Sequence, residues 1–233
     1  MTGRELCFAW DRIIVKSNKL SIATVSPMAT RTWQVGAALL FMAGCNSGPG
    51  AIQPPNVDPD DAAVAAIAEN DSNGDGTLSQ DEWSASPVLA AVAEQYDTSG
   101  DRVLGVEEIA EGIRFWQEGP VGARAVAFRV TFNGRPLSGA TVRLVPASFL
   151  GEAVKAASGE SGPTGTGKLR LRPEDIPKNA PNMALMQPGL YRVEITHPSV
   201  KIPPKYNSQT TLGIEISGSN PGPQGITWSL TAK

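Results

Sequence analysis

Residues 71–82 read Asp-Ser-Asn-Gly-Asp-Gly-Thr-Leu-Ser-Gln-Asp-Glu, and their spacing decides how the first half of the chain folds. Oxygen-bearing side chains stand at positions 1, 3, 5, 9 and 12 of the stretch (Asp71, Asn73, Asp75, Ser79, Glu82), and Gly76 stands at position 6. A hard dication such as Ca²⁺ takes about six to eight oxygen ligands at ~2.3–2.6 Å. A chain that wraps it must turn sharply at position 6, where glycine adopts positive φ without strain. Thr77, at position 7, offers its backbone carbonyl; Ser79 acts directly or through water; Glu82 closes the shell with both carboxylate oxygens. Plain Asx-Gly turns share the first few residues. They require neither Glu82 nor an apolar residue at position 8, where Leu78 stands.

A second stretch repeats the pattern. Residues 97–108, Asp-Thr-Ser-Gly-Asp-Arg-Val-Leu-Gly-Val-Glu-Glu, place Asp97, Ser99, Asp101, Val103 and Glu108 at positions 1, 3, 5, 7 and 12, with Leu104 matching Leu78. Both stretches resemble EF-hand calcium loops, and a pair of them implies a short β-bridge between Leu78 and Leu104. The two starts are 26 positions apart, as in the short EF-hand pairs of bacterial secreted proteins. The duplicated helix face with which dockerin repeats bind a cohesin is lacking. The second loop departs from the pattern at two places. Arg102 replaces glycine at position 6, which forces a non-glycine residue to positive φ at a cost of about 1–3 kcal/mol and brings a cation near the ion. Gly105 offers no side chain at position 9. The second site is therefore expected to be the weaker.

Charge is divided along the chain. Between 58 and 118 fifteen acids face two bases, Arg102 and Arg114; from 121 onward thirteen bases face six acids. The acidic excess suits a dication. The mild basic excess is read as solvated strand surface, and no nucleic-acid partner is expected. Two cysteines, Cys7 and Cys45, make no disulfide framework, and a lone histidine, His197, rules out a Cys/His metal site.

Residues 1–45 read as an export signal. Met28 opens a complete short one: Arg31 in the charged region, Val35 to Met42 in the apolar region, then Ala43-Gly44. Translation is expected to start at Met28. Met42-Ala43-Gly44-Cys45 resembles the lipobox of bacterial lipoproteins. That resemblance implies lipidation of Cys45, a membrane anchor and an extracytoplasmic location, periplasmic or at the cell surface. The apolar run is short for a spanning helix of about 20 residues. Residues 46–57, rich in Gly, Pro and Ser, read as a flexible linker.

Helices are expected across 58–118. Asp58-Pro59 is an N-cap followed by Pro in the first turn, and Val64 and Ile67 mark an apolar stripe. A helix over 87–96 is expected to bury Leu89, Val92 and Tyr96, and one over 106–117 to bury Ile109, Ile113 and Trp116. After Gly119-Pro120 the period changes to two. Val126, Phe128, Val130 and Phe132 share one face; Asn133-Gly134 is a turn; 141–145, 168–172, 191–195, 212–216 and 226–230 alternate likewise. Residues 173–188 read as a surface excursion.

Phe-Arg-Val-Thr-Phe-Asn-Gly-Arg-Pro-Leu-Ser-Gly-Ala-Thr-Val-Arg-Leu-Val (128–145), Gly-Thr-Gly-Lys-Leu-Arg-Leu (165–171) and Pro-Gly-Leu-Tyr-Arg-Val-Glu-Ile (188–195) resemble the carboxypeptidase regulatory-like domain. The likeness implies a transthyretin-like, Ig-like β-sandwich over 121–233 that is non-catalytic and lacks zinc ligands. The expected architecture is thus multidomain: a small all-α EF-hand pair over 58–118 ahead of an all-β sandwich. The expected function is Ca²⁺ binding in an anchored lipoprotein, with the sandwich structural or adhesive. Its partner would be an unidentified envelope protein or polysaccharide. The alternative is a carbohydrate- or protein-binding module with structural calcium, and Tyr206 is the one free-standing aromatic that would serve sugar binding. No enzyme is expected: His197 has no paired nucleophile, no two acids of the β-region are marked out for general acid/base work, and Pro163 to Lys168 reads as a hairpin turn rather than a phosphate loop. Two modules that melt separately are expected, calcium affecting only the first.

Overall fold

The computed structural model describes residues 52–118, 122–176, 178 and 183–232. The expected leader, its start at Met28 and Cys45 lie outside the described residues, and the described residues fall in one compact unit.

Five helices open the described chain: α1 (Pro59–Asn70), α2 (Gln80–Ala85), α3 (Pro87–Ala90), α4 (Ala93–Tyr96) and α5 (Val106–Gln117). Asp58 caps α1 as its sequence requires: its carboxylate accepts from the backbone N–H of Asp60 at 3.0 Å and Asp61 at 3.2 Å. The buried face of α1 consists of Ala62, Ala63, Ala66 and Ile67. Val64, expected on that face, is 56% exposed. The alanines allow a close approach to α5, which contributes Ile109, Ala110, Ile113 and Trp116, and a branched side chain is not needed there. The helix expected over 87–96 is broken into α3 and α4, although Leu89, Val92 and Tyr96 are all buried.

The remainder is a curled sheet. Its strands are β1 (Val126–Phe132), β2 (Arg135–Pro136), β3 (Thr141–Pro146), β4 (Ala157–Glu160), β5 (Thr166–Leu171), β6 (Gly189–Thr196), β7 (Gly213–Ile216) and β8 (Ile226–Leu230). They run in the order β2-β1-β5-β4-β3-β6-β7, with β8 parallel to β1 and the other neighbours antiparallel. β5 pairs through Thr166–Leu169 with β1 and through Arg170 and Leu171 with β4, so the sheet turns over at this strand. Alternation then sends Val126, Phe128, Val130, Val142, Leu144, Leu169, Val193, Ile195 and Trp228 inward. The Pro163–Lys168 stretch belongs to the β4–β5 hairpin.

Two segments and the core also depart from the sequence reading. Residues 52–57 are held rather than free: the Gly122 N–H donates to the Ile52 carbonyl at 2.9 Å, and the Gln117 side-chain amide to that of Val57 at 2.8 Å. Within the expected excursion 173–188, Leu185 and Met186 are buried, and Met186 exchanges two 2.9 Å backbone bonds with Arg124. Finally, helices and sheet share one hydrophobic core, in which Leu89, Tyr96 and Ile113 are continuous with Leu144, Tyr191 and Ile216.

Candidate metal centre

Both oxygen-rich loops lie between helices: 71–82 runs from α1 into α2, and 97–108 from α4 into α5. In the first, Asp71 accepts from the Gly74 N–H at 2.6 Å and, with its other oxygen, from the Gly76 N–H at 2.8 Å. Asn73 accepts from the Asp75 N–H at 2.8 Å and donates its amide to Asp75 at 2.9 Å. Asp75 accepts from the Thr77 N–H at 2.9 Å and its hydroxyl at 2.8 Å. The second loop repeats this frame. Asp97 accepts from the Gly100 N–H at 2.7 Å and the Arg102 N–H at 2.8 Å, and Asp101 from the Val103 N–H at 2.9 Å.

The carboxylates at position 12 close each loop in the same way. Glu82 accepts from the N–H groups of Ser72 at 2.9 Å and Asn73 at 3.2 Å with one oxygen, and from the Ser79 N–H at 2.9 Å and hydroxyl at 2.7 Å with the other. Glu108 accepts from the Ser99 N–H at 3.0 Å and the Gly105 N–H at 3.1 Å. Leu78 and Leu104 join the loops by two backbone bonds of 2.9 Å, the β-bridge expected of them. An open depression of about 490 Å³ brings Thr77 of the first loop together with Ser99, Asp101, Val103 and Glu108 of the second.

Position 6 shows how unequal the loops are. Gly76 has φ +84° and Arg102 has φ +66°, so the arginine occupies the left-handed region that glycine tolerates and other residues resist. Trp83, the first residue after Glu82, donates its indole N–H to the Arg102 carbonyl at 3.3 Å. Its role at the second loop was not legible in the sequence.

Hydrogen bonds to the charged form lower the pKa values of these carboxyls. The Ser79 hydroxyl, then the Ser79 N–H and the Ser72 hydroxyl, hold the Glu82 carboxyl down to about 2. Asp75 is lowered chiefly by the Thr77 hydroxyl. Asp97 is also lowered: burial, its largest influence, opposes this, and the N–H groups of Arg102 and Gly100 outweigh it. Every donor in the two loops is an oxygen, which suits a hard cation and not a thiophilic one. Among the described residues no three His, Cys, Asp or Glu side chains converge as a ligand set by themselves. The carboxylates alternate with Asn73 and Ser79 in the first loop and with Ser99 in the second, and both oxygens of Glu82 accept from N–H and O–H donors.

Among the described residues one buried acid stands outside the loops. Glu215 on β7 is 3% exposed and accepts from the Tyr96 hydroxyl at 3.0 Å. Burial raises its pKa; burial, then the Glu215 charge, raises that of Tyr96. Alternation in β7 assigns Glu215 to solvent, so no local sequence signal marks its burial.

Other residues singled out by the sequence have structural roles. His197 caps a turn, its Nδ1 accepting from the Ser199 N–H at 3.0 Å and the Val200 N–H at 2.8 Å, with Nε2 2.8 Å from the Ser138 carbonyl. Tyr206, expected to be free-standing, is buried beside Thr231 with Lys205 over its ring. The described helices include none long and apolar enough to cross a membrane.

No protein family and no curated protein matches this chain. Among solved structures, a DUF3823 family protein from Parabacteroides merdae is a weak neighbour at 16% identity and a TM-score of 0.28. The match covers 47% of this chain and 45% of that one, so it spans less than half of the neighbour's length.

Proposed function

We propose that residues 58–118 are a paired EF-hand that binds Ca²⁺, carried by an extracytoplasmic lipoprotein anchored to the membrane through Cys45. The β-domain, read as a carboxypeptidase regulatory-like, transthyretin-like sandwich, is non-catalytic in this proposal and has a structural or adhesive role toward an envelope partner. The observation that carries the calcium reading is the repeated hydrogen-bond frame. In both loops the carboxylate at position 1 gathers the N–H groups of positions 4 and 6, and the carboxylate at position 12 gathers those of positions 3 and 9. Two unrelated turns have no reason to share that frame. Asp71, Asn73, Asp75, the Thr77 carbonyl, Ser79 and Glu82 would hold the first ion; Asp97, Ser99, Asp101, the Val103 carbonyl and Glu108 would hold the second. The ion supplies charge neutralisation and order, and no chemistry is routed through it.

Glu82 has to exchange its Ser72, Asn73 and Ser79 donors for the ion, so binding includes a local rearrangement. The second site is the weaker, since Arg102 adds strain and positive charge. The carbohydrate alternative rested on a free Tyr206, and that ring is packed away.

Isothermal titration of the full chain with Ca²⁺ and Mg²⁺ tests the reading. Two Ca²⁺ per chain of unequal affinity are expected, with Mg²⁺ much weaker. Absence of Ca²⁺ uptake at millimolar concentration would remove the proposal. The anchor is tested separately: Cys45→Ser should release the protein from the membrane fraction, and an unmodified Cys45 in the native protein would refute lipidation.

A further inference from the structure

Tyr96 directly precedes Asp97, the first ligand position of the second loop. Its ring lies flat on the backbone of α5, where Gly112 leaves the room: a Cβ added there would stand 2.3 Å from the ring. Its hydroxyl reaches across to Glu215 on β7, and the two residues are 2% and 3% exposed. The same strand meets the helical segment a second time. A Cβ on Gly213 would stand 1.8 Å from the Pro87 carbonyl oxygen, so β7 and the start of α3 are in backbone contact. The segment that joins the end of the first loop to the start of the second is therefore fixed to β7 near both of its ends.

These contacts limit what the second loop can do alone. Asp97 follows α4 and Glu108 lies in the first turn of α5, so any change in loop occupancy that shifts α4 against α5 acts on the Tyr96 ring between them. The ring cannot shift without loosening its bond to Glu215, and a buried carboxyl that loses a donor is costly. Resting on the calcium reading above, we propose that the Tyr96–Glu215 hydrogen bond couples ion occupancy of the second loop to the order of β7, so that the sheet responds to calcium. Such coupling is reciprocal: a partner that stabilises β7 tightens ion binding at the second loop by the factor with which the ion stabilises β7.

Hydrogen–deuterium exchange on the full chain, with Ca²⁺ and with a chelator, tests this. Peptides covering 71–82, 97–108 and 213–216 are followed, with β8 as the internal reference. In the wild type, Ca²⁺ should slow exchange in 97–108 and in 213–216 together, and in 213–216 by more than in β8. Tyr96→Phe should abolish the extra protection of 213–216 and weaken the second Ca²⁺ site roughly 3–10-fold, the range for one hydrogen bond. Glu215→Gln retains an acceptor oxygen for the Tyr96 hydroxyl and should retain the response. Protection of 97–108 without extra protection of 213–216 overturns the coupling alone. Its persistence in Tyr96→Phe, or its loss in a folded Glu215→Gln, removes this bond as the cause. No calorimetric uptake and no protection in either loop overturns the calcium reading and the coupling with it. If Tyr96→Phe fails to fold, the wild-type and Glu215→Gln comparisons still decide.

Discussion

Chelation is the perturbation that separates two appended modules from one shared body. At free Ca²⁺ 100-fold above Kd, a single filled site stabilises the folded state by about 2.7 kcal/mol. The size of the melting shift then depends on how many residues unfold together. A unit the size of residues 58–118 would shift by about 4–8 °C per kcal/mol, or roughly 11–22 °C in all, with the sheet signal unmoved. A unit of about 150–250 residues would shift by about 2–4 °C per kcal/mol, or roughly 5–11 °C, with every probe moving together. The structure argues for the second outcome, against the independent melting expected from the sequence. Leu89, Tyr96 and Ile113 belong to the same core as Leu144, Tyr191 and Ile216, and β7 touches the helices at both Gly213 and Glu215. The assay is a pair of thermal scans with and without chelator, read by far-ultraviolet circular dichroism and by fluorescence. Trp228 reports from the sheet, and Trp83 and Trp116 from the helices. Variants lacking Trp83 and Trp116, with Trp10 and Trp33 also replaced, leave Trp228 as the single reporter. Two resolved transitions, of which only the helical one moves on chelation, would show the shared core to be energetically unimportant.

Three further outcomes follow from single positions. Arg102→Gly relieves a left-handed non-glycine residue, which should stabilise the calcium-loaded protein by about 1 kcal/mol and tighten the second site; unchanged affinity and Tm would show that residue to be unstrained. Gly112→Ala drives a methyl group into the Tyr96 ring, and overpacking of this kind costs about 1–3 kcal/mol; denaturant unfolding with an unchanged midpoint would contradict the close packing of α4 on α5. The pH dependence has two signs. Glu82, held down to about 2 from an ordinary 4.5, contributes stability that is present above pH 4.5 and lost as pH falls toward 2. Glu215, raised by burial, contributes stability that is present below 4.5 and lost as pH rises through its higher folded value. Glu82→Gln should flatten the acid limb of a stability–pH curve and Glu215→Gln the limb above 4.5; a variant that leaves its own limb unchanged removes that assignment.

Local signals made much of this architecture legible. The N-cap at Asp58, the glycine at position 6 of the first loop, the paired Leu78 and Leu104 and the period-two runs of the sheet each reflect forces that act within a few residues. They appear in the structure where the sequence puts them, β7 excepted. Val64 misled because a helix is read by its large apolar residues, whereas α1 docks by its small ones: three alanines let it approach α5 more closely than valine would. The single helix expected over 87–96 failed because tertiary contacts decide where so short a segment breaks.

The most consequential misreading concerns β7. Period-two reasoning assumes one buried face and one wet face, and on that assumption Ile214 and Ile216 point inward and Glu215 outward. In the folded chain Ile216 is buried as assigned, but Glu215 is buried too, at 3% exposed, while Ile214 is only partly buried. The helical segment covers the face that alternation assigned to water. No signal within residues 213–216 could announce this, because the cause is Tyr96, 119 positions away along the chain. A carboxylate tolerates such a site only where a donor meets it, so its position implies a fixed partner. Here the partner is the residue that leads into the second loop. Composition divides the chain into an acidic half, 58–118, and a basic one from 121 onward. Their junction, a tyrosine on a glycine and a glutamate beneath a helix, can be reached from composition by no route and from geometry by a short one.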